Sequence, residues 1–381
     1  MEVGSCFCVV AAAVFIFTVL WKLKEGCGDG SWAAAAGALV GALVGASLYL
    51  TVPPVVCGVA FFSCSFALIY LTERRAELLP ARSKAVLITG CDSGFGHVLA
   101  QRLSEMGVMV FAGVLDVNGA GARRLREGTS GNLQVLQLDV TDGRQIETAH
   151  RHVCAQVSAT GLWGLVNNAG VFQCPADAEL QPIAAYRFCM DVNFLGAVKM
   201  SQVFLPLLRR SRGRIVNVSS MAGEVPMPML TAYGASKAAL SVVTAAMRME
   251  LSAWGVKVAL IQPAGFRTNI FGTGDDAARH RDQILAAVSP EAREDYGEAY
   301  ISSLPSSLSR MSQDVAGDLS PVVDDMCHAL LSVRPKPVYA PGQMGRLLPF
   351  LHRCCPTALF DTIMINFVKH TELQPAGLDR S

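Results

Sequence analysis

The segment Lys84-Ala85-Val86-Leu87-Ile88-Thr89-Gly90-Cys91-Asp92-Ser93-Gly94-Phe95-Gly96 constrains the fold more than any other part of the chain. An unbroken apolar run without polar alternation reads as a strand buried on both faces, as in a parallel sheet. Glycines 90, 94 and 96 follow it, and a helical pattern runs from His97 to Met106. A glycine-rich turn between strand and helix lets backbone amides approach a pyrophosphate at the helix N-terminus. The spacing is T-G-x-x-x-G-x-G, not the G-x-G-x-x-G of the commonest dinucleotide fold. A ligand-free tight turn would use the same glycines, so the motif needs support from elsewhere.

That support is the repetition of strand and helix along the next part of the chain. Val108 to Leu115 reads as a strand ending at Asp116, and Leu133 to Leu138 as another ending at Asp139-Val140. Leu162 to Val166 leads into Asn167-Asn168-Ala169-Gly170, and Arg214 to Val218 into Ser219-Ser220. This alternation predicts an α/β fold, a doubly wound parallel sheet. Ligands bind such sheets at the C-terminal ends of the strands. A carboxylate at Asp116 suits an adenosine ribose and repels a 2′-phosphate, which favours NAD over NADP. Arg123 and Arg124 pull slightly the other way. Asp139 is expected on the adenine side.

Tyr233-Gly234-Ala235-Ser236-Lys237 lies in a predicted helix from Ala232 to Met249. Positions i and i+4 share one helix face. The expectation is that the Lys237 ammonium lowers the phenol pKa of Tyr233 from about 10 toward neutrality and makes it a general base. The same pair also occurs on ordinary solvated helix faces. Ser219 reads as a buried strand-end serine and Ser220 as the hydroxyl that bonds the substrate oxygen.

Taken together, these motifs resemble the short-chain dehydrogenase/reductase family over roughly Ala81 to Tyr339. The resemblance is carried in order by the Thr89–Gly96 loop, Asp116, Asp139, Asn167-Asn168-Ala169-Gly170, Asn193, Ser220, Tyr233, Lys237 and the Pro263–Thr268 turn. It implies a Rossmann-type fold and the catalytic set Asn193, Ser220, Tyr233 and Lys237. It also implies cofactor contacts from Thr89, Gly90, Ser93, Gly94, Phe95, Gly96, Asp116, Asp139, Asn167, Ala169, Gly170, Tyr233, Lys237, Pro263 and Thr268. Ser220 and Tyr233 would bind the substrate. Asn193, on a helix expected from Met190 to Leu207, would hold a water that relays the proton outward. One departure stands out: the family has Pro-Gly where this chain has Pro263-Ala264.

Further segments resemble the hydroxysteroid-oxidising members of the family. They include Glu77-Leu78-Leu79-Pro80, Phe111-Ala112-Gly113-Val114-Leu115 and Met247-Arg248-Met249-Glu250-Leu251. They imply NAD-dependent oxidation of the 17β-hydroxyl of estradiol and testosterone. Gly161-Leu162-Trp163-Gly164-Leu165 and the Ile88–Gly96 segment are shared with glucocorticoid-oxidising members, the alternative substrate class. Retinol oxidation comes third. A membrane scaffold that binds NAD without turnover is the non-enzyme alternative, and the intact Ser220, Tyr233 and Lys237 argue against it. The family also implies a homodimer through the helices following Asn193 and Tyr233.

The ends of the chain differ from its middle. Hydrophobic residues make up 51 % of the 381 residues and charged residues 17 %, too apolar for a wholly soluble chain of this size. Val3 to Trp21, Trp32 to Val52 and Val55 to Leu71 are apolar runs in an expected membrane anchor over residues 1–76. Lys22 and Lys24, with Arg74 and Arg75, place the catalytic part on the cytosolic side by the positive-inside rule. The endoplasmic reticulum membrane is the expected site. The catalytic domain is expected over 77–345, with 271–282 and a helix from Gln283 to Ser303 as a lid. An amphipathic tail over 346–381 either dips into the membrane or packs on the core. Pro226, Met227, Met229 and Phe266 are candidates for an apolar pocket. A formal charge of +1 gives no electrostatic case for nucleic acid. The twelve cysteines show no metal-binding spacing, so no metal is expected, and they read as reduced thiols.

Overall fold

The computed structural model describes residues 3–25, 53–72, 77–128, 131–271, 274–304, 315–367 and 373–380. The chain divides into two compact units, Met1–Glu77 and Leu78–Ser381.

In the first unit, α1 (Val3–Glu25) packs along α2 (Pro54–Thr72). Phe7 stacks on Phe62 with ring centroids 5.8 Å apart, and Phe15 meets Phe61 at 5.6 Å. Gly58 permits this approach, because a Cβ there would sit 2.5 Å from the Phe7 ring. Cys8, Ala11, Phe15 and Cys57 are buried between the helices, whereas Val9, Val10, Ile16, Val56, Val59 and Phe66 face outward. Among the described residues no helix is long and apolar enough to cross a membrane. The expected runs Val3–Trp21 and Val55–Leu71 are thus helical without meeting that requirement, and α1 extends through Lys22, Lys24 and Glu25. The run Trp32–Val52 lies outside the described residues.

The second unit is built on a parallel sheet. Its strands are β1 (Ala85–Ile88), β2 (Met109–Val114), β3 (Leu133–Gln137), β4 (Gly164–Asn167), β5 (Arg214–Val218), β6 (Lys257–Ile261) and β7 (Val338–Tyr339). Their order is β3-β2-β1-β4-β5-β6-β7, all pairs parallel. The order reverses between β1 and β4, which opens a crevice at their C-terminal ends. Successive side chains alternate between faces. Val86 and Ile88 join Leu99 and Leu103 of α3 (Gly94–Glu105) and Val323 and Met326 of α11 (Ser320–Leu331) in one layer. Leu87 joins Ile146 and Val153 of α5 (Gly143–Val157) and Phe204 and Leu208 of α7 (Ala197–Ser211) in the other. Between β2 and β3 runs α4 (Ala120–Glu127). Both faces of the sheet are covered, which is why the strands read as unbroken apolar runs.

The expected helix from Met190 to Leu207 is interrupted. It is α6 (Ile183–Met190), then a π-helical stretch Asp191–Gly196, then α7. Inserted π turns of this kind often sit at functional sites. The Tyr233 segment lies in α8 (Thr231–Glu250). The lid region also departs from expectation. It is α9 (Gly274–Ala287), α10 (Pro290–Tyr296) and helical residues 298–304, not one helix. Ser289 caps α10 by accepting from Ala292 N at 3.1 Å, Pro290 opens it, and Gly297 at φ 76° ends it. These local signals override the apolar periodicity.

Two smaller cores sit beyond the main layers. In one, Ile284, Ala292, Ile301 and Leu304 of the lid pack on Cys174, Ala176 and Leu180. In the other, Leu348 of α12 (Leu347–Cys354) and Phe360 and Met364 of α13 (Thr357–Phe367) pack on Met221 and Val225. The tail is therefore docked on the turn after Ser220, while Leu347, Phe350, Leu359 and Ile365 remain exposed. Phe266 belongs to the main core, where it meets Phe95 edge-on, and Met229 to the lid core. Both are buried in these packed clusters. The described cysteines are all free thiols, and the described residues contain no metal-binding cluster.

Candidate active site

The glycine loop is shaped by its neighbours. Gly90 and Gly94 adopt φ of 70° and 61°, a region that side chains rarely enter. A Cβ on Gly90 would lie 2.8 Å from Ala169 Cα, and one on Gly96 would lie 2.4 Å from Asn168 Nδ2. Asn168 Nδ2 donates to the carbonyl oxygens of Thr89 and Gly90 at 2.9 and 3.0 Å. Thr89 Oγ1 accepts from the amides of Asn168 and Ala169, both at 3.0 Å. Thr89, Gly90, Ala169 and Asn168 thus form one rigid junction between the ends of β1 and β4. Ser93 opens α3 without a side-chain cap, so the first amides of the helix point outward with no partner from that residue. Thr268 stands against this loop, its Cβ 3.5 Å from where a Gly94 Cβ would be. Uncapped amides and a backbone held open by glycines fit the diphosphate of a dinucleotide, with Thr268 beside them.

Asp116 follows β2 and is exposed. Its Oδ1 accepts from Asn118 N at 2.8 Å, which steadies the carboxylate and leaves Oδ2 outside that bond. Asp139 accepts from both Thr141 N and Thr141 Oγ1, at 2.8 and 2.7 Å, so it organises its own loop. Asp92, within the glycine loop, accepts from Leu115 N with both oxygens at 3.0 and 3.1 Å. It ties the loop to the end of β2. Neither Asp92 nor Asn168 was assigned a role from sequence. The signal available was only a polar residue inside a glycine-rich turn.

Tyr233 and Lys237 project from α8 toward the end of β5. Ser220 lies near enough to the Tyr233 hydroxyl to act on its ionisation and caps a short 3-10 turn, Met221–Gly223, by accepting from Ala222 N at 3.2 Å. Ser219 is turned away: its Oγ donates to Lys237 O at 2.8 Å and lies 2.9 Å from Ser241 Oγ. Alternation along the strand end turns the two serine side chains to different sides. Phe172 meets the Tyr233 ring edge-on at 5.3 Å.

The electrostatics differ from the simple i, i+4 expectation. Lys237 Nζ donates to Val218 O at 2.8 Å and lies 5.7 Å from the Tyr233 ring centroid. Burial lowers the Lys237 pKa to about 8. Burial also pushes Tyr233 up to about 12, and the nearby Ser220 hydroxyl offsets only part of that rise. The ammonium does not lower the phenol pKa in this form. Its proton is engaged by a carbonyl, and desolvation outweighs an attraction across that distance.

Asn193 and Asn167 are both consumed by structure. Asn193, in the π-helical stretch, accepts from Val171 N at 2.7 Å and donates to Val171 O and Ser236 Oγ, both at 2.9 Å. Ser236 in turn donates to Tyr233 O at 2.7 Å. Asn193 thus links the loop after β4 to the backbone of the Tyr233 helix. Gly170 lies between them, where a Cβ would sit 3.2 Å from Lys237 Nζ and 3.4 Å from Asn193 Oδ1. Asn167 Nδ2 donates to Ser201 Oγ and Asn217 Oδ1 at 3.0 and 2.7 Å, away from the crevice. Its side chain therefore does not face a cofactor. Pro263 O accepts from Met221 N at 2.9 Å and joins the cofactor turn to the Ser220 turn.

A family model described as short chain dehydrogenase matches residues 84–278. The chain is 43 % identical to "Estradiol 17-beta-dehydrogenase 2" of Mus musculus, over 95 % of this chain and 94 % of that protein. It is 46 % identical to "11-beta-hydroxysteroid dehydrogenase type 2" of Oryctolagus cuniculus, over 75 % of this chain and 70 % of that protein. Among solved structures, a short-chain dehydrogenase from Streptomyces avermitilis superposes with a TM-score of 0.57. It shares 26 % identity and covers 75 % of this chain and 95 % of its own.

Proposed function

The chain belongs to the short-chain dehydrogenase family, and from that premise we propose that it oxidises the 17β-hydroxyl of steroids such as estradiol and testosterone with NAD. The observation that carries this reading is the gathering of Ser220, Tyr233 and Lys237 where β5 ends beside the reversal of strand order, with Lys237 Nζ bonded to Val218 O at 2.8 Å. The glycine loop and Thr268 hold the dinucleotide, which supplies the hydride acceptor when bound. Tyr233 takes the alcohol proton. Ser220 holds the substrate oxygen, and Lys237, steadied by the Val218 carbonyl, binds the nicotinamide ribose. Asn193 keeps Tyr233 and the loop after β4 in register through Ser236. Asp116 selects NAD by its charge.

The membrane reading rests on the apolar outer faces of α1 and α2, where Val9, Val56 and Val59 are exposed. The basic pairs flanking them favour a cytosolic catalytic unit at the endoplasmic reticulum. The homodimer reading rests on Leu195, Val242 and Met249, exposed apolar residues of the helical segments after Asn193 and Tyr233.

Identity to the 11-beta enzyme keeps glucocorticoids as a second substrate class. Membranes containing the full chain, given NAD and in parallel estradiol, cortisol and retinol, test the proposal. Reduced dinucleotide should appear with estradiol first. Turnover of cortisol alone would move the assignment to the second class, and no turnover with any of the three would defeat it.

A further inference from the structure

The turn that carries Ser220 is braced from outside the matched family region, which ends at residue 278. Glu224 closes that turn and is mostly withdrawn from solvent, its side chain 18 % exposed. It forms an ion pair with Arg353 of α12 and accepts from Gln262 Nε2 at 3.5 Å. Gln262 immediately precedes the Pro263–Thr268 turn. Around the pair, Met221 and Val225 are buried against Leu348, Phe360 and Met364. Just before the tail, Pro341 O accepts from Ala264 N at 3.0 Å. The substrate turn and the cofactor turn are therefore both held by residues 341–364.

From these contacts we propose that Arg353 is a positioning residue for the reaction: by holding Glu224 it sets the Ser220 turn against Tyr233, and the C-terminal helices are a working part of the site. The inference rests on the roles given above to Ser220 and Tyr233. A partly buried carboxylate without its cation would draw in water or turn outward. Either movement shifts Ser220, and a displacement of about 1 Å in a reacting constellation is enough to cost up to roughly a hundredfold in rate.

The test uses the full chain in membranes with Arg353→Gln, Glu224→Gln, Arg353→Lys and the exchange Glu224→Arg with Arg353→Glu. In the two Gln variants kcat for the steroid should fall by about tenfold, while dinucleotide affinity stays within about twofold. The rising limb of the pH–rate profile should move to higher pH, because Ser220 no longer holds Tyr233 down. Arg353→Lys and the charge exchange should recover most of the loss. Hydrogen exchange of the amides from Met221 to Val225 should quicken in the Gln variants, a readout that needs no turnover. Gln variants with wild-type kcat and wild-type exchange, or a charge exchange that recovers nothing, overturn the proposal. A wild-type chain that oxidises no alcohol defeats the functional reading alone, and the exchange rates still decide this one.

Discussion

Lys237 Nζ donates to the carbonyl oxygen of Val218 at 2.8 Å, so the buried ammonium of the site is held by the end of the strand that leads into Ser219 and Ser220. That bond couples the charge of α8 to the position of β5. It also sets how the protein responds to alkali.

Burial lowers Lys237 to about 8 from 10.5, so between those values the unfolded chain keeps a proton that the folded chain has released. Stability therefore rises with pH across that window. Tyr233, pushed up to about 12 from 10, acts in the opposite sense: the folded chain keeps a proton that the unfolded chain loses, and stability falls above pH 10. Relative to Lys237→Met, the wild-type unfolding temperature in detergent should climb from about pH 8 to pH 10. Parallel curves for the two proteins would show that Lys237 is not a buried cation.

Tyr233→Phe removes the group assigned to take the alcohol proton while leaving the ring against Phe172. We expect kcat to fall by about 10²–10⁴-fold with dinucleotide binding retained. Fluorescence titration and steady-state turnover on the same preparation check both halves. Full activity in the variant would assign the proton transfer elsewhere.

Asp116 accepts only one backbone amide through Oδ1, leaving its second oxygen for a ribose. Asp116→Ala should weaken NAD by roughly tenfold and NADP much less, since a like-charge repulsion is lost with it. Parallel titrations with the two dinucleotides read the ratio. An unchanged ratio removes Asp116 from cofactor selection.

Ala264, the departure from the family's Pro-Gly, is accommodated by Gly342. A Cβ on Gly342 would lie 2.7 Å from Ala264 Cβ, and Gly342 has φ of 104°. Gly342→Ala should destabilise the chain by about 1–3 kcal/mol through overpacking and backbone strain. Adding Ala264→Gly should return the overpacking part alone. Thermal unfolding of the single and double variants measures both. A double variant no more stable than the single would show that the two residues do not share this space.

Local patterns carried most of what was legible. The run from Lys84 to Gly96 is a strand, a turn and a helix in the structure because consecutive residues decide those elements. The strand after it and the Arg214–Val218 strand were readable for the same reason. The Gln283–Ser303 region reads as one helix by period, whereas a cap and a glycine at positive φ interrupt it at single positions. The π-helical stretch at Asn193 left no periodic trace, since one inserted turn hardly alters an apolar pattern.

Residue types at the site were likewise visible, but their partners were not. That Lys237 would bond Val218, that Asn167 would turn into the core, and that Arg353 would reach Glu224 all depend on contacts between distant segments. By itself the sequence determined the parallel α/β framework and the glycine loop, because backbone preference and apolar period act over a few neighbouring residues; it proposed Ser220, Tyr233 and Lys237 only through resemblance to a family. Only the tertiary structure decided the ionisation of Tyr233 and the docking of the tail. Desolvation and ion pairing depend on which remote groups come within a few ångströms, and no spacing along the chain records that.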